Sequence, residues 1–220
     1  MMRRPLVRLG LLAGVWLVAP RTGPAQGIAV TTFGIIGGPR STVLNEGVRE
    51  TVGGVWLGVA VEVKVRRLLI AVSGLRGTLT PIENTPFERD GGEEAILIRF
   101  EPRSGLGVEG AYTARAFSSA AGYQHWDILG LGAWVSMPLG DPALCAYARG
   151  SYLPAVRVSG QPAPTVALAA EVGVSAAPAR APVLIRLKYR FERFDFPGQP
   201  TARLEEFDRI TLEVGYRVRR

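Results

Sequence analysis

"GVWLGVAVEVKVRRLLIAVSG", residues 54–74, puts Val or Leu at every second position from Val55 to Val65. Trp56, Gly58, Ala60, Glu62, Lys64 and Arg66 fill the positions between. Successive side chains of an extended strand point to opposite faces, so one face is aliphatic and the other turns charged. Two environments suit such a strand. One is a soluble sheet with a face on a core, the other a barrel strand with lipid outside and polar groups within.

The same period of two recurs along the chain, while helical periodicity is almost absent. "IAVTTFGII" (28–36) opens the series, and the quoted stretch supplies two strands that meet near Arg66–Arg67. "EEAILIRFE" (93–101) sets Ile96, Ile98 and Phe100 against Leu97, Arg99 and Glu101. "LGVEGAYTARAF" (106–117) sets Leu106, Val108, Tyr112 and Ala114 against Glu109, Thr113 and Arg115. "HWDILGLGAWVSM" (125–137) and "ALCAYARGSYLPAVRV" (143–158) follow, the latter interrupted by Pro154, where the strand is expected to break or bulge. "TVALAAEVGVS" (165–175) carries Glu171 on its polar face. "VLIRLKYRFERF" (183–194) carries Arg186, Lys188, Arg190 and Glu192, and "DRITLEVGYRVR" (208–219) carries Thr211, Glu213, Arg217 and Arg219. That makes about ten strands (eight is the alternative count), each long enough to cross a bilayer at a tilt.

Connections alternate in length. Short turns are expected at Arg66–Arg67, "PRSG" (102–105), "LGDP" (139–142) and "AAPARAP" (176–182). Longer segments are expected at "GGPRSTVLNEGVRETVG", "PIENTPFERDGG", "SSAAGYQ", "SGQPAP" and "PGQPTARLEE". Tight turns at one end and longer loops at the other is the organisation of an up-and-down outer-membrane barrel. Aromatic residues near strand ends (Trp56, Phe100, Tyr112, Trp126, Trp134, Tyr152 and Phe191) suit interfacial girdles.

The start of the chain has its own character. Arg3, Arg4 and Arg8 precede an apolar run, Leu9 to Ala19, too short to span a bilayer as a helix, and "GPAQG" supplies small residues for cleavage. Residues 1–26 are therefore expected to be a signal peptide and residues 27–220 one barrel domain. Cys145 is the only cysteine, which leaves no internal disulfide. The net charge of +7 is dispersed rather than blocked, which argues against a nucleic-acid partner. No metal-ligand spacing appears, and "GLGVEG" (105–110) leads into a strand rather than a helix, so neither a metal nor a nucleotide cofactor is expected.

The C-terminal "EVGYRVRR" resembles the recognition signal that closes bacterial outer-membrane barrels, with Glu213, Gly215 and Val218 on its polar, glycine and hydrophobic positions. Arg220 departs from it, since the family closes on an aromatic residue. The resemblance implies an all-β fold, a single antiparallel up-and-down transmembrane β-barrel in the outer membrane. It also implies outer-membrane lipid as a partner, with barrel-assembly machinery and periplasmic chaperones during biogenesis. A soluble periplasmic β-sandwich binding domain is the competing fold.

The polar faces supply the candidate site. Glu62 and Lys64, then Arg99, then Glu109 and Arg115, then Glu171, then Arg186, Lys188, Arg190 and Glu192, and finally Glu213 and Arg217 each stand on the polar face of their own strand. Mixed signs at close spacing suit a lumen network in which charges neutralise one another, and the same row could line a narrow anion-conducting pore. No catalytic set emerges. His125, the lone histidine, has Asp127 two residues on, where lipid A deacylase barrels carry serine, and Ser118 and Ser119 lie across the preceding loop. Omptin-like proteases need paired acids besides a His–Asp couple, and no Asp-x-Asp pair is present. A non-enzymatic barrel with a structural or surface-binding role on the loops 37–52, 80–92 and 197–206 is the expected function. The surface ligand has no signature in these residues.

Overall fold

Ten antiparallel strands close on themselves in the computed structural model, which describes residues 27–85, 87–120, 122–178, 181–198 and 203–219. In chain order they are β1 (Ile28–Asn45), β2 (Val48–Val65), β3 (Leu68–Glu83), β4 (Arg89–Arg103) and β5 (Leu106–Ser119). β6 (Gly122–Leu139), β7 (Asp141–Val158), β8 (Val166–Ala176), β9 (Val183–Phe196) and β10 (Arg203–Arg219) complete the wall. Each strand pairs with its sequence neighbours, and β10 closes on β1 with Val30 opposite Val218. There are no two packed sheets here, so the sandwich is excluded as the fold.

Register shows how steeply the strands lean. Ladder partners starting at Val30 run through Val63, Ile70, Ile98, Gly110, Leu131, Tyr152, Leu168, Arg193 and Glu206 and re-enter β1 at Thr42. A displacement of roughly twelve residues around ten strands requires a strong tilt and leaves an interior that side chains can fill.

Loops are shorter than the sequence suggests. "GGPRSTVLNEGVRETVG" is not a loop but the paired ends of β1 and β2, joined at Glu46–Gly47. Both residues have positive φ (53° and 79°), the twist of a two-residue turn that continues a right-handed hairpin. Of 80–92, only 84–88 lies outside strands, and β10 already begins at Arg203. The expected segments are polar and rich in turn-forming residues, which disguises them as loops. Pro154 does not end β7. Leu129 pairs Ala155 and Leu131 pairs Tyr152, so Leu153 and Pro154 together oppose Gly130 in a bulge, which absorbs the missing N–H.

Several strands carry an inversion. In the half nearer the chain termini, charged residues point inward and their neighbours on either side point out as aliphatics. Glu62 sits between Val61 and Val63, Arg99 between Ile98 and Phe100, and Glu213 between Leu212 and Val214. Toward the other end the relation reverses. Buried Phe207 has Glu206 and Asp208 beside it, Phe194 has Arg193 and Asp195, Trp126 has His125 and Asp127, and Leu79 has Thr78 and Thr80. The apolar phase switches within single strands: in β9, Ile185, Leu187 and Tyr189 face out, whereas Phe194 and Phe196 face in. The first half presents a continuous exposed belt of Val, Leu and Ile, which only lipid can cover at this extent. The second is built like a soluble β-protein, polar outside and apolar within, and forms a collar beyond the belt. Among the described residues no helix is long and apolar enough to cross a membrane.

This inversion corrects the aromatic assignment. Phe100, Tyr112, Tyr152 and Phe191 lie in the outward rows, but Trp56 and Trp126 are buried inside the barrel and Trp134 faces the lumen. Period two places a residue on a face without saying which face meets lipid.

Candidate functional site

The lumen is filled from the collar downward by two layers. In the upper one Trp56, Phe117 and Phe207 form a triangle with ring centroids 5.8–6.4 Å apart. Trp126 packs edge-on against Phe194 (4.9 Å) and Phe196 (6.0 Å). Trp56 is fully buried because Gly77 and Gly91 lie under it. A Cβ at either position would approach the indole to 2.6 Å.

Below this seal, ion pairs reach across the barrel. Arg115 of β5 donates to Glu93 of β4 (2.6 and 2.9 Å) and to Glu192 of β9 (2.6 Å), and its guanidinium lies 3.9 Å from the Phe207 ring centre. Arg190 donates to the other Glu192 oxygen, and Arg209 of β10 to the other Glu93 oxygen at 3.0 Å. β5 and β9 stand on opposite walls, so this layer ties the barrel through its middle. Nearer the termini, Arg186 holds both oxygens of Glu62 and approaches Glu213, which also takes Lys188. Arg99 donates twice to Glu109 (2.9 and 3.0 Å) and lies over Trp134. Arg149 bridges Glu109 (3.3 Å) and Glu171 (3.5 Å), and Lys64 meets Glu101. Unpaired charges here would be prohibitive. Each carboxylate named in these two layers has a cationic partner, and removing one partner costs far more than the pair contributes.

Every residue of the charged row therefore faces inward, Arg217 at the mouth included. Sequence reasoning leaves Glu93, Arg149 and Arg209 out of that set. Parity alone reaches them: Glu93 is in phase with Arg99, Arg149 with Tyr147, and Arg209 with Thr211 and Glu213. Each sits at the start of a motif or among small residues, where alternation is weakest. In the C-terminal motif, Glu213 is held by Lys188, a Cβ on Gly215 would lie 2.6 Å from Phe33, and Val218 points outward. Arg220 and residues 1–26 lie outside the described residues.

His125 sits elsewhere. It projects from the outer wall at the collar, with Nε2 3.3 Å from Asp127 and Tyr123 stacked on its ring at 6.4 Å. The Tyr112 hydroxyl donates to the same Asp127 oxygen. The nearby Ser159 hydroxyl accepts from the His125 main-chain N–H (2.9 Å), while Nδ1 of the ring has no hydrogen-bond partner among the described residues. This cluster braces β5, β6 and the end of β7 on the outside; it does not set a serine on the imidazole.

Between the ionic layers lies a cavity of about 180 Å³, and a mouth of about 370 Å³ shares Glu62, Leu69, Arg99, Trp134 and Arg186 with it. The mouth includes Ala29 and Arg217, so it opens at the end where β1 begins and β10 ends.

No family model matches the chain, and no curated protein does. Solved structures do. The outer membrane protease OmpT from Escherichia coli superposes with a TM-score of 0.56 at 12% identity, covering 89% of this chain and 97% of that one. The translocator domain of the autotransporter NalP from Neisseria meningitidis gives 0.43 at 14% identity (87% and 88% covered). Neisserial surface protein A gives 0.37 at 11% (84% and 96%). At such identities the likeness to OmpT is one of fold. A closed ten-stranded antiparallel barrel with an aliphatic outer belt is the fold of outer-membrane β-barrels, and this chain has that fold.

Proposed function

We propose that this chain is a non-conducting outer-membrane barrel whose role at the cell surface, structural or ligand-binding, is carried by the collar and the hairpin tips that crown it. One observation supports this above others: the lumen is occupied at the collar by Trp56, Phe117, Phe207 and the Trp126 cluster, backed by the Arg115 ion-pair layer. Short tips on a rigid, polar-faced collar suit a fixed surface better than a lid. Export with cleavage near residue 26, chaperone escort, and insertion by barrel-assembly machinery through Glu213, Gly215 and Val218 belong to the same reading.

Planar-bilayer recording tests it. The purified barrel should give no stepwise conductance, and a variant with Trp56, Phe117 and Phe207 all changed to Ala should open one. A chloride-preferring conductance in the unaltered protein, weakened by neutralising Arg186, Lys188 and Arg190, would instead make it an anion pore. Lipid or peptide hydrolysis lost on His125→Ala would make it an enzyme. In a Gram-negative host it should fractionate with outer membranes and show heat-modifiable gel mobility, whereas release by osmotic shock as a soluble periplasmic monomer would overturn the membrane location.

A further inference from the structure

The two rims of the belt differ in how their arginines are partnered. On the collar side, Arg40 meets Asp208 (3.2 Å), Arg49 meets Glu83 (3.9 Å) and Arg193 meets Asp195 (3.0 Å). At the opposite end, where β1 begins and β10 ends, the exposed Arg66, Arg67 and Arg103 form no ion pair among the described residues. The nearby carboxylates are engaged. Glu101 is held by Lys64 inside the mouth, and the Asp141 carboxylate accepts from the Ala143 main-chain N–H (2.8 Å).

The three arginines stand on adjoining turns. Arg66 and Arg67 join β2 to β3, and Arg103 ends β4 at the next turn along this end. The Arg67 carbonyl accepts from the Glu101 main-chain N–H (2.8 Å), which fixes the first turn against the strand that leads to the second. The backbone singles out Arg66 as well. It takes a left-handed φ of 54°, a region that glycine occupies in the next two turns of this end, at Gly105 (78°) and Gly140 (79°). Glycine enters that region without strain, and arginine does not. Beside these turns the belt ends: Val65 and Leu68 flank the first and Phe100 and Leu106 the second, all exposed on the outer face. A guanidinium just beyond the last lipid-facing side chains stands at headgroup level, with its stem along apolar surface and its charge toward phosphate. Its planar fork donates to two phosphate oxygens at once. We propose that this rim holds an anionic phospholipid, with its phosphate on Arg66, Arg67 and Arg103 and its acyl chains on Val65, Leu68, Phe100 and Leu106. The inference rests on the belt facing lipid and is independent of what the collar does.

Native mass spectrometry of the full barrel tests this, after release from zwitterionic detergent holding equal amounts of phosphatidylglycerol and phosphatidylcholine with identical chains. Retained phosphatidylglycerol should exceed phosphatidylcholine about tenfold, as a few basic residues at an anionic headgroup provide. Arg66→Gly, Arg67→Gln and Arg103→Gln combined should abolish the preference. Arg66→Gly alone relieves the backbone, so it should weaken the preference while the barrel keeps its heat-modifiable mobility. Arg40→Gln, Arg49→Gln and Arg193→Gln combined remove as many charges from the collar and should leave the preference intact. Equal retention of the two lipids by the unaltered barrel would overturn the proposal. So would a preference that survives the combined rim variant, or one lost equally in the collar variant, which is a response to net charge. Displacement by glycerol phosphate at the lipid's own concentration would make the rim a phosphate site without a lipid, and would overturn it too.

Discussion

The belt and the collar are made by the same ten strands and obey the same period of two, yet each is the other turned inside out. In the belt, Val61, Ile98, Leu187 and Val214 look outward and Glu62, Arg99, Lys188 and Glu213 inward. In the collar, Phe194, Phe207 and Trp126 look inward and Arg193, Asp208 and Asp127 outward. Lipid outside the belt takes up the apolar side chains, so its interior is free to be ionic wherever charges meet partners. Water outside the collar reverses the requirement, and the interior becomes an ordinary apolar core. A strand therefore reports its surroundings by the phase of its alternation, and a phase change marks where the bilayer stops.

Five substitutions, in three regions, probe this contrast. The largest effect is expected in the collar core: Phe194→Ala should cost about 3–5 kcal/mol, as removal of a buried aromatic does. Denaturant titration of the barrel folded into lipid vesicles measures it, and a loss below about 1 kcal/mol would mean that the collar lacks a packed core. Next comes the belt. Lysine at Val59 should cost about 2–4 kcal/mol and less at Val55 and Val63, since the bilayer is least polar at its centre. An equal penalty at all three would mean that the aliphatic face does not meet lipid. The smallest effect belongs to the collar's outer face, where Ser118→Lys should change stability by no more than about 0.5 kcal/mol. A penalty like that of Val59→Lys would extend the bilayer over the collar and abolish the distinction.

Much of the wall is legible in the amino-acid sequence. The alternation of Val55 to Val65, and of Ile210 to Val218, marks strands and separates their faces, because a period of two has only one backbone conformation behind it. The candidate site is legible only in part. Arg186, Lys188 and Arg190 announce themselves as a row, while Arg149 stands between Ala148 and Gly150, where no contrast reveals its face. Hairpin lengths mislead for a related reason. The ends of β1 and β2 are polar on their outer side because they stand in water, and polarity with Pro39 and Gly47 imitates a loop.

By itself the sequence determined that the chain crosses by strands, about ten of them, with one aliphatic and one polar face, because those properties are local and repeat every second residue. Which charges meet was decided elsewhere. Glu62 finds Arg186 from 124 positions away, and Glu93 finds Arg209 from 116. The closure of β10 on β1, with its roughly twelve-residue shear, sets those distances. No local pattern encodes them. The same closure put Trp56, Phe117 and Phe207 into one triangle, and only the tertiary structure could do that.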